Sequence, residues 1–210
     1  MQWWEVDIIT ISLALSEEDL DIDKELEEVL EPSSNNATRK IVFAAAGQNK
    51  GANEELAWPA RKEHVIAIHA TDGYGTAANI NPSGDKKKVN FATLGRNIPM
   101  EWFCDGCKGD IRYISGTSFA TPIAAAIAAN VLEFASNRLK LTKDQKARLF
   151  SHTVMWKILR AMSAPKGDYN YLQPWTMWEK AERGDWPGLK LEKDNPNNIC
   201  TVLKSIIGKG

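Results

Sequence analysis

Gly116-Thr117-Ser118-Phe119-Ala120-Thr121-Pro122 leads straight into Ile123-Ala124-Ala125-Ala126-Ile127-Ala128-Ala129-Asn130-Val131-Leu132, an apolar run of small residues. A hydroxyl at position 118 therefore stands where a loop becomes a helix. The first amides of a helix have no acceptor within it, and the helix dipole adds partial positive charge at the same end. A serine there is suited to attack a carbonyl. A free amide, its own included, can receive the negative charge that develops on the oxygen. The plainer alternative is a Gly-Thr-Ser cap on a core helix. The uniform apolar composition predicts that this helix is buried on nearly every side.

Other chemistry-bearing residues are weaker. Gly47-Gln48-Asn49-Lys50-Gly51 reads as a turn after an apolar strand and lacks the Gly-x-x-x-x-Gly-Lys spacing of a phosphate loop. Cys104-Asp105-Gly106-Cys107 is a single Cys-x-x-Cys, and a zinc site needs four ligands. Cys200 is remote and the histidines lack ligand spacing, so neither metal nor cofactor is expected. His69 falls inside a strand and reads as a core histidine. Lys86-Lys87-Lys88 and the acidic segment from Glu17 to Glu31 read as solvated, and most of the eight tryptophans as packing.

The elements that must position Ser118 follow from periodicity. Val6–Leu13, Lys40–Ala46 and Val65–Ala70 are β-branched or continuously apolar and predict strands, the continuous runs suiting a parallel sheet buried on both faces. Leu20, Leu26, Val29 and Leu30 predict a helix over about 18–30, capped by Ser16 and ended by Pro32. Val89–Leu94 and Arg96–Trp102 predict short strands or turns leading to the serine. Thr142–Met162 is helix-prone, and 168–210 shows little periodicity. The result is α/β architecture, with the main domain over 1–140 and a helical, Trp/Pro-rich tail over 141–210. With 43% hydrophobic and 25% charged residues, the chain has an ordinary globular composition, and its net charge of -1 argues against nucleic-acid binding. No apolar run reads as long enough to span a bilayer, so no membrane partner is expected. The acidic N-terminus has no signal-peptide pattern, and three cysteines are too few for a disulfide framework, which favours a cytoplasmic location.

Gly-Thr-Ser-x-Ala-x-Pro before an alanine-rich helix resembles the nucleophile motif of the subtilisin-like (peptidase family S8) serine proteases. The resemblance implies a partial subtilisin-like three-layer fold, a central buried helix and Ser118 as nucleophile. Phe43-Ala44-Ala45-Ala46-Gly47-Gln48 resembles the family's strand ending Ala-Ala-Gly-Asn, whose Asn donates to the oxyanion. Here Gln48 matches that position and Asn49 follows, so either carboxamide is implied as the donor. Ser12-Leu13-Ala14 resembles the strand on which the peptide substrate pairs. Ala57-Trp58-Pro59-Ala60 resembles the aromatic-Pro-Ala segment, with Ala57 on the floor of the specificity pocket and the Trp58-Pro59 bond cis. Ala45, Ala46 and Gly47 complete the implied substrate site.

In this family the serine works with an upstream Asp and His. The sequence contains no Asp-Thr/Ser-Gly motif after a strand and no His-Gly-Thr motif. His64, His69 and His152 match no catalytic position, nor do Asp7 and Asp72. The resemblance therefore implies the nucleophile, oxyanion and specificity half of a serine endopeptidase acting on peptides or proteins, without its base. The expected partner is the missing N-terminal half, or another protein, covering an exposed sheet edge. The alternative is an inactive pseudoprotease that binds peptides or a protein. A Rossmann-like nucleotide binder ranks last, for want of a Gly-x-Gly-x-x-Gly turn.

Overall fold

The computed structural model describes residues 6–31, 39–47, 55–84, 89–104 and 107–208. In chain order the elements are β1 (Ile8–Ile11), α1 (Leu20–Leu30), β2 (Ile41–Ala45), β3 (Val65–Thr71), β4 (Phe91–Leu94), β5 (Ile98–Cys104), β6 (Cys107–Ile114), α2 (Thr117–Arg138), α3 (Lys143–Leu149), α4 (His152–Ala161), β7 (Ser163–Lys166), β8 (Tyr169–Leu172), α5 (Pro174–Arg183) and α6 (Asn198–Gly208). One sheet has the order β1-β2-β3-β4-β8-β7. Its first five strands run parallel, and β7 closes one edge antiparallel to β8. The other edge is β1.

The alternation of side chains along a strand splits β2 between two cores. Ile41 and Phe43 join Ile66, Ile68, Phe91 and the buried side of α2. Val42 and Ala44 join Leu26 and Leu30 of α1, with Trp58 and Val65, on the opposite face. Helices thus cover both faces of a mostly parallel sheet, the α/β layering that the continuous apolar runs predict. Every residue of β2 is fully buried, and each large apolar side chain there contributes roughly 2 kcal/mol of transfer free energy.

Three local expectations change. The cap of α1 is Asp19, not Ser16: its Oδ1 accepts from the amides of Asp21 and Ile22, each at 3.1 Å. Helix α2 packs across β1 to β4 with Ala120, Ala124, Ala128, Val131 and Ala135, but Pro122, Ala126, Ala129, Asn130 and Glu133 face outward. An alanine-rich helix has no amphipathic contrast, so composition could not tell its buried side from its exposed one. The same composition makes α2 long and apolar enough to cross a membrane by length alone, contrary to the expectation; here that character serves packing on the sheet. The third change is in 168–210. Asn170 donates to the Asn90 carbonyl at 2.8 Å, and β8 extends the parallel sheet, so this aperiodic stretch includes a strand of the main sheet.

β5 and β6 form a separate two-stranded hairpin, with Cys104 paired to Cys107 in register near its tip. Phe103, Tyr113 and Ile111 on this hairpin are 83%, 70% and 64% exposed. The sequence does not announce β6, because its residues carry no apolar alternation facing a core.

Candidate active site

Parallel strands deliver their carboxyl ends to one edge of the sheet, where loops assemble a site. Ser12 leaves β1 there, Gly47 lies just beyond β2, and Gly95 follows β4. Gly95 lets the loop before α2 lie directly on the sheet. A Cβ at this position would stand 2.8 Å from the Ala70 Cβ, 2.9 Å from the Ala120 Cβ and 2.9 Å from the Gly116 carbonyl oxygen. The Gly116 amide donates to the Gly95 carbonyl at 2.8 Å, and α2 begins at the next residue. No side chain caps α2; the Phe119 and Ala120 amides turn back to the Gly116 carbonyl at 3.1 and 3.4 Å, while the Ser118 amide has no acceptor within the helix.

Ser118 is the second residue of α2 and half-buried. Its hydroxyl donates to the Ser12 carbonyl at 3.2 Å, and the Ser12 hydroxyl donates to the Ser118 carbonyl at 2.8 Å. Pro122 explains the second bond. In an unbroken helix the amide at 122 would donate to the carbonyl at 118, but proline has no amide hydrogen. The Ser12 hydroxyl supplies the donor that Pro122 lacks, and so ties the end of β1 to the helix start. Thr117 makes a parallel tie to β2: its Oγ1 donates to the Gly47 carbonyl at 3.0 Å.

A cleft of about 590 Å³ opens beside Ser118, bounded by Ala14, Leu15, Gly47, Leu56, Ala57 and Thr117, with Ser16, Glu55 and Arg61 also in its lining. Its back is closed by an antiparallel bridge. Leu15 donates to the Trp58 carbonyl at 2.8 Å, and Trp58 to the Leu15 carbonyl at 2.9 Å. The Trp58-Pro59 bond is cis. Gly47 has φ of +107°, and a Cβ there would lie 2.8 Å from the Ala57 Cβ; a side chain would both strain the backbone and fill the cleft. Beneath the turn, Lys62 Nζ lies 2.6 Å from Asp23 Oδ1 and 3.4 Å from Glu27 Oε1, joining α1 to the segment after Pro59. The Lys62 hydrogen bond holds the Asp23 carboxyl below the usual range. Burial alone would lower the Lys62 amine, but the bond and charge of Asp23 raise it on balance.

Of the residues singled out by sequence, Ala14, Gly47, Ala57 and Ser118 share this cleft, and Ser12 joins it through Ser118. Leu13 is 44% exposed on the same segment. Ala45 and Ala46 are fully buried, with their side chains in the core below. Gln48 and Asn49 lie outside the described residues. Sequence reasoning missed Leu15, Ser16, Glu55, Leu56 and Arg61, none of which belongs to a motif of fixed type.

The histidines stand elsewhere. His69 is buried in β3, its Nδ1 3.1 Å from the Phe91 carbonyl oxygen, while its Nε2 has no partner among the described residues. Burial pushes its pKa down to about 4. His64 precedes β3 and His152 opens α4. Their rings lie 5.3 Å apart at the amino ends of the strands, and burial, then the neighbouring His64, lowers His152 to about 4. None of the three lines the cleft beside Ser118. Among the described residues no group of three or more His, Cys, Asp or Glu is placed to hold a metal.

The model of the Peptidase S8 family, described as the subtilase family, matches residues 4–187. Subtilisin-like protease het-Q2 of Podospora anserina is 33% identical over 115 residues, which are 51% of this chain and 30% of that protein. The cell wall-associated protease of Bacillus subtilis (strain 168) is 36% identical over 104 residues, 49% of this chain and 11% of that protein. Among solved structures, the prenylagaramide maturation protease PagA superposes with a TM-score of 0.59 and the patellamide maturation protease PatA with 0.60. Both are 22% identical and both cover 96% of this chain. The chain in turn spans 63% and 64% of those two chains. At that identity they speak for the fold, a mostly parallel α/β sheet.

Proposed function

The chain belongs to the subtilase family, and from that premise we propose that it carries the nucleophile and substrate cleft of a serine-type endopeptidase. The observation that carries this reading is the position of Ser118, on the uncapped first turn of α2 and at the wall of a cleft lined by the segments that follow β1 and β2. The Ser118 oxygen attacks the scissile carbonyl carbon, and its proton passes to a base. The Ser118 amide receives the developing oxyanion, with Gln48 or Asn49 as the second donor. Collapse expels the amine, which takes the proton, and water then cleaves the acyl ester. Ser12, Leu13 and Ala14 pair with the substrate backbone, and Ala57 floors the side-chain pocket.

A carbonyl oxygen such as that of Ser12 cannot serve as the base. We place the base and its carboxylate on a further polypeptide segment that pairs with the free edge of β1 and covers the outward side of α2 at Ala126 and Ala129. Supporting this is the shorter span of the chain relative to the solved proteases, together with an edge strand whose outer hydrogen-bonding groups are unpaired by any described strand.

The test is fluorophosphonate labelling. The chain alone is expected to label at background. Mixed with a polypeptide bearing the family's Asp and His motifs, it is expected to label at Ser118 roughly a hundredfold faster or more, and Ser118→Ala to abolish the label while the chain still folds, as circular dichroism would show. A complex that forms and binds peptide but never labels would leave the protein a peptide-binding pseudoprotease.

A further inference from the structure

We propose that Arg61 gives the cleft beside Ser118 a preference for an acidic side chain. The inference rests on the reading of that cleft as a substrate pocket and adds the class of residue it takes. Half of the ten described lining residues are small or aliphatic: Ala14, Leu15, Gly47, Leu56 and Ala57. Such a surface excludes by size and is indifferent to charge. Among the described residues the lining holds two ionised groups, Arg61 and Glu55, and the discrimination falls to them.

These two are not equivalent. The Arg61 backbone is fixed, its amide donating to the Ala57 carbonyl at 3.1 Å in the turn that also presents Trp58 to Leu15. Arg61 is exposed, but its guanidinium has an anchor: Nη1 donates to the Ser16 carbonyl at 3.1 Å, and Ser16 is itself part of the wall. One carbonyl uses one of five donors. No carboxylate pairs with Arg61 among the described residues. The neighbouring Lys62 is already taken by Asp23 and Glu27. Arg61 thus offers a located, unpaired cation with spare donors in the geometry that suits a carboxylate. Glu55 is equally exposed and has no such anchor among the described residues, so its carboxylate is screened and mobile. The located cation dominates the bound side chain.

The test uses the chain as it is and four acetylated tetrapeptide amides, Ala-Ala-Ala-X with X as Glu, Gln, Leu or Lys, titrated at low salt and neutral pH. The backbone amide resonance of Ser118 reports the site, and dissociation constants report the preference. Glu is expected to bind about three- to fivefold tighter than its uncharged isostere Gln, as an exposed charge pair allows, and tighter than Lys by more. The difference is expected to vanish in Arg61→Gln, to invert in favour of Lys in Arg61→Glu, and to shrink in about 0.5 M salt. Equal affinities for Glu and Gln, or a preference that survives Arg61→Glu, overturn the proposal while leaving the peptide cleft intact. If no peptide moves the Ser118 resonance, the proposal falls together with the functional reading beneath it.

Discussion

The two ends of one parallel sheet treat their reactive groups in opposite ways. At the carboxyl ends of the strands, Ser12, Gly47 and the first turn of α2 are tied together by side-chain hydrogen bonds to backbone carbonyls around an open cleft. At the amino ends, His64 and His152 lie ring against ring, while His69 is sealed in the sheet. A serine of modest intrinsic reactivity sits where amides and a cleft converge. The buried imidazole of His69 and the half-buried one of His152, which would titrate near neutrality when free, are held neutral. Residue type therefore says less about chemistry than which end of the sheet a residue reaches.

That contrast can be broken at the carboxyl end first. Gly47→Val adds strain at positive φ and a clash with Ala57, at a cost of about 4 kcal/mol from overpacking and backbone strain together. Urea unfolding checks it, and loss of peptide binding should accompany the loss of stability.

The histidines answer to pH. An unfolded imidazole takes up its proton near a pH of about 6.5, whereas His69 does so only at about 4 in the fold. Between those values the unfolded chain holds the extra proton. Stability is therefore full above about pH 6.5 and falls as pH drops towards 4, by roughly 3 kcal/mol from His69. His152 contributes with the same sign. In His69→Asn, stability measured at about pH 4.5 and about pH 7.5 should differ much less than in the parent. An unchanged pH dependence would mean that the buried imidazole is not its source.

The smallest effect returns to the carboxyl end. Thr117→Val keeps the shape but removes the donor to the Gly47 carbonyl, and should cost about 2 kcal/mol with a buried acceptor left unpaired. If urea unfolding finds the variant as stable as the parent, the tie between β2 and α2 contributes nothing to holding the site.

The sequence made legible those parts whose physics is local. Continuous apolar strands announced a buried parallel sheet, and Gly116 to Pro122 announced the turn that presents Ser118 at the start of a helix, because that turn depends on fixed residue types, down to the missing amide at Pro122. The parts set by tertiary geometry stayed hidden. Arg61 follows Trp-Pro-Ala with nothing in its type to say that its guanidinium would reach Ser16. β7 and β8 have short, mixed sequences, and the partner of β8 is β4, which lies before the whole of α2, α3 and α4. The choice of Asp19 over Ser16 as cap depended on where the chain leaves the Leu15–Trp58 bridge. Gln48 and Asn49, the implied oxyanion donors, remain a sequence-based proposal.

The β5–β6 hairpin is clasped at its root. Gly116 bonds back to Gly95, Asn97 donates to the Ser115 hydroxyl at 2.9 Å, and Ile98 pairs with Ile114. Everything beyond that clasp is mechanically insulated from Ser118. Lengthening, trimming or repainting the projecting ribbon would change what the molecule touches while the nearby alcohol of Ser118 keeps its place. The residues of this rim are free to drift under selection on their own schedule, because no adjustment at Ser118 has to accompany them.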